Sequence, residues 1–204
     1  MRTLVFVSVV AAAACGGSGG DDDDGPAFQS EHPRILLGTQ RDRLAADLAN
    51  ETPAAKRFLG TVNRFVDGSD VYGFQGWNAA LVGQLTGDPK YCAAAVEKID
   101  AEVKEAEAAI ADGHAPFVAG DSYLQIGDRI GDLALVYDWC FDTVGDKRTR
   151  WLAYAQQAVT NVWDHENATW GGEKMPWSGW AVDDPSDNYY YSFLRATMLL
   201  GLAA

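Results

Sequence analysis

Residues 170–204, WGGEKMPWSGWAVDDPSDNYYYSFLRATMLLGLAA, concentrate the side chains best suited to chemistry. Trp170, Trp177 and Trp180 lie in a Gly- and Pro-rich loop. Flat indole faces stack on the C–H faces of sugars, and a loop that displays them makes a binding rim. The same indoles can instead anchor a buried loop. Asn188 then opens an apolar run that begins with Tyr189, Tyr190 and Tyr191. An Asn in that place is suited to cap the helix, and the phenols to pack against the wall of the fold or to move protons. Lys174 sits within the loop, and Arg195 lies two turns into the helix, where it can face an anionic sugar. Asp183, Asp184 and Asp187 also flank the tryptophans. Inverting glycoside hydrolysis needs an acid and a base about 6.5–9.5 Å apart, and spacing in sequence neither proves nor excludes that use.

Other charged candidates are fewer. Arg129 interrupts an apolar helical pattern, and a buried arginine needs a partner; Asp128, Asp132 or Asp138 could supply it. His114 and His165 fall at or near helix ends, where capping or solvation is the default role. His32 belongs to the lead-in SEHPRILLG and is expected to be structural. Cys92 and Cys140 lie in apolar helical patterns, where free cysteine is commonly buried, although an oxidising compartment would allow them to pair. No metal-ligand spacing accompanies them, and no metal or organic cofactor is implied.

These side chains need a scaffold, and the pattern predicts helices almost throughout. Thr39 is placed to cap QRDRLAADLAN, and Pro53 suits the first turn of PAAKRFLGTVNRFVDG, whose Phe58, Val62 and Phe65 share a face. FQGWNAALVGQLTG follows, then Asp88 caps the long PKYCAAAVEKIDAEVKEAEAAIADG, which stops at Gly113. Asp121 or Ser122 starts YLQIGDRIGDLALVYDWCFDTV, apolar on nearly all sides, and the amphipathic GDKRTRWLAYAQQAVTNVWDHEN comes next. Trp77, Trp139, Trp151 and Trp163 occur in these helices and are expected in the core. No alternating strand pattern stands out, so the expected class is all-α. Apolar helices alternate with amphipathic ones through short connections. That alternation suits stacked helix hairpins, with an inner row covered on most sides and an outer row covered on one. The last helix runs apolar to Ala204 with no stop signal, from which residues 31–204 are expected to be the N-terminal part of a longer helical domain.

The chain has 204 residues and a formal charge of −13. Residues 1–14 read as a secretory signal, with one Arg, an apolar stretch and small residues before Cys15. Residues 15–30 carry the flexible GGSGGDDDDG tether. Cys15 at the cleavage point resembles the lipobox of bacterial lipoproteins, although Ala12 stands where that motif has Leu. The resemblance implies a diacylated Cys15 as mature N-terminus, an exported protein held to a bacterial membrane by lipid alone. Loss of Arg2 with the signal takes the charge to −14, and −10 remains outside the four tether aspartates. No basic stripe exists to release counterions, which argues against a nucleic-acid partner. Beyond the signal, no apolar stretch is long and charge-free enough to span a bilayer.

Four segments carry a further resemblance: HPRILLG, QLTGDPKYCAAAVEKI, IGDLALVYDWCFD with RTRWLAYAQQAV, and DNYYYSFLRATMLLGLA. Over residues 31–204 the chain resembles the N-terminal part of the heparinase II/III-like and alginate-lyase group of polysaccharide lyases. The LTGDPKY junction is the least specific piece, since many α/α-barrel glycan enzymes share it. The resemblance implies an incomplete (α/α) toroid of stacked helix hairpins and an acidic, uronate-containing polysaccharide as partner. It also implies β-elimination in the full-length protein, in which an amide neutralises the uronate carboxylate and a tyrosine moves the proton. Asn188 takes the amide position, with Tyr189 and Tyr190 beside it as catalytic candidates. Trp170, Trp177, Trp180, Lys174 and Arg195 are the expected sugar-binding set. Where the family has His next to the amide, this chain has Tyr189, which brings no positive charge. The family's own catalytic Tyr and second His normally come later than Ala204. A glycan-binding protein without the base, and a glycoside hydrolase on the same scaffold, are the alternatives.

Overall fold

The computed structural model describes residues 30–35 and 37–204. The signal, Cys15 and the tether aspartates lie outside the described residues. The fold is all-α apart from one two-residue hairpin. Its helices are α1 (Gln40–Ala49), α2 (Pro53–Val66), α3 (Trp77–Thr86), α4 (Pro89–Ala111), α5 (Ile126–Trp139), α6 (Phe141–Val144), α7 (Arg148–Trp163) and α8 (Asn188–Ala203).

Local chemistry sets several of these boundaries. Thr52 Oγ1 accepts from the Ala55 N–H and Pro53 occupies the first turn, so α2 starts as its sequence requires. Asp88 Oδ1 accepts from the Lys90 N–H ahead of α4. Thr39 does not cap α1: its backbone is already helical and its hydroxyl makes no capping bond. The helix expected from Tyr123 to Val144 is divided. Asp121, Ser122 and Tyr123 all have positive φ, 46°, 51° and 61°, in a tight turn before α5, and the chain leaves α-helical geometry at Cys140.

α5 is the centre of the molecule, with eleven of its fourteen residues buried. Its neighbours follow a regular alternation of direction. Asp132 meets Gly76 and Trp77 at the start of α3, while Gln84 Nε2 donates to the Trp139 carbonyl where both helices end. α3 and α5 therefore run the same way. Gly127 faces Ser192, and Gly131 faces Arg195 and Leu199, so α8 is parallel to α5 as well. α4 runs opposite, with Cys92 at its start joined to Cys140 and Glu102 reaching Arg129 near the start of α5. α7 also runs opposite to α8, since Trp163 at its end meets Tyr190, Phe193 and Thr197. Three parallel helices thus begin at one end of the molecule, and α4 and α7 return between them.

The α5–α8 contact is close enough to need glycine. Gly127 donates its N–H to Ser192 Oγ at 2.8 Å, and the same hydroxyl donates to the Leu124 carbonyl at 2.5 Å. A Cβ on Gly127 would lie 2.6 Å from Ser192 Oγ and 2.8 Å from its carbonyl oxygen. On the far side of the core, Trp151 is fully buried, its Nε1 donating to Asp100 Oδ1 at 3.1 Å. Asp100 also pairs with Arg150 and with Lys104, which ties α4 to α7. Trp139 is buried as expected. Trp163 is not a core residue: it is 38% exposed at the end of α7, with Nε1 donating to Thr197 Oγ1. α8 keeps an exposed stripe of Tyr191, Met198 and Leu202.

Cys92 and Cys140 form a disulfide across 48 residues of sequence. Burial of two free thiols, the alternative open from sequence, is not what the fold uses. Closing a loop of that length stabilises a fold by about 2–4 kcal/mol. Replacing both cysteines by serine is expected to lower the unfolding free energy by about that amount, read as a fall in urea midpoint. An unchanged midpoint would contradict the link. Gly127→Ala is expected to cost about 1–3 kcal/mol in the same assay through overpacking against α8. A neutral result would mean that α5 and α8 can separate freely.

Candidate functional site

Asn188 is the first residue of α8, but it is not the cap. Asp187 caps the helix, its Oδ1 accepting the Tyr189 N–H at 2.9 Å. That leaves the Asn188 carboxamide exposed, and among the described residues it makes no hydrogen bond. Tyr189 donates its hydroxyl to Asp121 Oδ1 at 3.1 Å. Partial burial, and then the Asp121 carboxylate, push this phenol above its ordinary range, which keeps it protonated at neutral pH. Tyr190 is half-buried, edge-on to Trp163 at 6.2 Å and to Tyr191 at 6.1 Å, so packing is its evident role.

The tryptophan loop is largely anchored inward. Gly171 and Gly172, both with positive φ, turn the chain so that Thr169–Trp170 pairs with Glu173–Lys174. Buried Asn161 clamps this hairpin: its Nδ2 donates to the Thr169 carbonyl at 2.7 Å, and its Oδ1 accepts the Thr169 N–H at 3.0 Å. Trp170 is only 2% exposed, and its Nε1 donates to the Tyr123 hydroxyl. It is a core residue, which corrects its assignment to the sugar-binding rim. Trp177 is half-buried against Tyr123, His165 and Phe193, with Nε1 on the Asn161 carbonyl at 2.8 Å. Trp180 alone of the three is open, at 57% exposure.

Lys174 is exposed on the hairpin and forms no ion pair among the described residues. Arg195 Nη1 pairs with Asp128 Oδ1 at 2.5 Å, so its charge is already balanced. Asp184 accepts the Ser186 N–H and hydroxyl at 3.0 and 2.6 Å, and Asp187 serves the cap. Both carboxylates are engaged in holding turns.

Other spaces lie beside α4, around the loop joining α2 to α3 and the start of α5. A polar cleft of about 590 Å³ is lined by Asp70, Tyr72, Gln75, Gln125, Asp128 and Asp132, among others. Neighbouring spaces of about 560 and 220 Å³ share Glu102 with it. Glu102 holds Lys98 at 2.5 Å and Arg129 at 2.9 Å, so it forms the common wall of all three. Arg129 also sits over the Phe117 ring at 4.8 Å. Its partner is thus Glu102 from α4, not an aspartate of its own helix. Nothing in the periodicity of α5 pointed to this cleft; the only sequence signal was the polar–aromatic loop SDVYGFQG.

Asp132 lies on the cleft wall yet is only 3% exposed. Its two oxygens accept the Gly76 and Trp77 N–H groups at 2.7 and 2.6 Å, at the N-terminal end of α3. Burial pushes its carboxyl up to about 6, and the two backbone donors oppose that rise only in part. Among the described residues, no cluster of three His, Cys, Asp or Glu is arranged to hold a metal, and no helix is long and apolar enough to cross a membrane. Comparison of the chain with protein-family models, curated proteins and solved structures finds no match.

The Asp132 shift has a defined sign. Its folded pKa lies above the ordinary 3.8, so the folded state holds this proton more tightly. The resulting stabilisation is complete below about pH 4 and is lost as pH rises through about 6. Over that span the stability of wild type relative to Asp132→Asn should fall by about 3 kcal/mol. Urea denaturation of both proteins at a series of pH values measures it, and a pH-independent difference would contradict the assignment.

Proposed function

We propose that the protein binds an acidic, uronate-containing glycan across the end of the molecule where α3, α5 and α8 begin. On this reading it is the first part of an (α/α) toroid of the polysaccharide-lyase type. The supporting observation is the unengaged, exposed carboxamide of Asn188 in the first turn of α8. A carboxylate there would meet a neutral amide donor near the positive end of a helix dipole. Trp180 offers an open indole face for a pyranose ring.

In β-elimination, Asn188 would draw charge from the carboxylate as the neighbouring proton leaves. Tyr189, hydrogen-bonded to Asp121, is better suited to return a proton to the leaving oxygen than to remove one. That engagement also favours a second reading, a glycan-binding protein that does not cleave. The Cys92–Cys140 disulfide supports export, because such bonds persist in oxidising compartments. Lipid anchoring through Cys15 completes the proposal for a periplasmic or surface protein.

Full-length protein incubated with alginate, heparosan or pectate tests it. Unsaturated-product absorbance that is present in wild type and lost in Asn188→Ala supports elimination. Retention on a glycan column without absorbance, weakened about tenfold by Trp180→Ala, supports binding alone. Reducing ends appearing without unsaturation would replace both readings with hydrolysis, and no retention at all would remove the glycan.

A further inference from the structure

We propose that the 590 Å³ cleft under Tyr72 is a second carbohydrate site, one that takes a pyranose unit carrying no carboxylate. Its volume lies within the range of about 300–1,000 Å³ typical of small-ligand clefts. It is built from side chains other than those of the α8 rim, and it does not depend on elimination chemistry.

Three observations carry the inference. Tyr72 is wholly exposed, at 102%, and lines the cleft, so its ring has a free face where a sugar could stack. The wall offers hydrogen-bonding groups of both kinds. The Gln75 Oε1 is taken by Trp77 Nε1, which leaves its amide N–H groups as donors. Gln125 adds a second amide, and Asp70 and Asp128 add acceptors. A sugar hydroxyl both donates and accepts, so it suits such a mixed wall.

Charge then selects among sugars. The lining holds the acids Asp70, Glu102, Asp128 and Asp132 and the cations Lys98 and Arg129, and Arg195 balances Asp128 from the cleft edge. Lys98 and Arg129 are both already on Glu102. Asp70 pairs with no cation among the described residues. A uronate would therefore enter an excess of negative charge with no free partner, whereas a neutral hexose or an amino sugar would not.

Isothermal titration of the full-length protein with cellohexaose, with a glucosamine hexamer and with a mannuronate hexamer tests the proposal. Binding of cellohexaose or the glucosamine hexamer, weakened about tenfold in Tyr72→Ala, is the expected result. The two probes separate a neutral from a cationic preference. Because the Tyr72 ring is outside the core, its removal should leave the thermal midpoint unchanged. Failure of both carboxylate-free probes to bind would overturn the proposal. So would binding indifferent to Tyr72→Ala, or equal loss of mannuronate affinity in that variant. The α8 rim is tested separately, by Asn188→Ala and Trp180→Ala with uronate glycans.

Discussion

The fold depends on one buried helix whose aspartates each hold a different neighbour. Asp128 pairs with Arg195 of α8, and Asp132 accepts two N–H groups at the start of α3. Asp138 fixes the N-terminal lead-in, lying 2.6 Å from His32 Nδ1 and accepting the Arg34 and Ile35 N–H groups at 2.8 and 2.7 Å. Burying a carboxylate is costly unless hydrogen bonds replace its water. Asp132 and Asp138 meet that condition mainly with backbone donors, which cannot rotate away. Each bond therefore also fixes where a chain segment begins. Apolar packing alone would hold α5 in the core without setting the axial position of α3 or of the lead-in against it.

The same helix divides its surface between packing and the cleft. Gln125, Asp128, Arg129 and Asp132 recur at the spacing of a single helical stripe and line the 590 Å³ space. Gly127 and Gly131, one turn apart, lie on another side and admit α8. Close approach of α8 brings Arg195 within reach of Asp128, so the glycines position a charge at the cleft edge as well as a backbone. Replacing either glycine would disturb both. The 121–123 turn does similar work at the helix start, where three successive residues of positive φ set Asp121 toward Tyr189 and Tyr123 under Trp170 and Trp177.

Helical class and the buried nature of α5 were legible because hydrophobic periodicity is a local property. Asp88 and Pro53 were legible for the same reason, since caps act within one turn. What was not legible depends on partners distant in sequence. Trp170 and Trp180 stand ten positions apart in one loop, yet Tyr123 takes the first indole and no side chain among the described residues hydrogen-bonds the second. Composition cannot separate them. Asn188 and Asp187 are both good caps, and the choice of Asp187 decides that the amide is free. The disulfide needs α4 and α5 to be antiparallel neighbours, a fact of topology rather than spacing. The cleft is the extreme case, since its wall draws on the α2–α3 loop, α4 and α5 together.

A chain of net charge −13 is an awkward host for a polyanion, and the distribution of its cations sharpens the difficulty. Arg129, Arg150 and Arg195 all pair with carboxylates, so none offers an unbalanced charge to a ligand. What the rim has instead is an exposed amide in the first turn of α8, whose N–H end Asp187 already caps, and Lys174 on the hairpin. Dipoles favour a single carboxylate at short range but provide little long-range attraction. The cleft opens beside the starts of α3 and α5 and carries an excess of acids. On the two proposals taken together, the rim takes a carboxylate-bearing unit and the cleft disfavours one. A glycan that contains both acidic and carboxylate-free units offers each surface a unit it can hold. The physical selection is then for mixed composition along the polymer rather than for total charge.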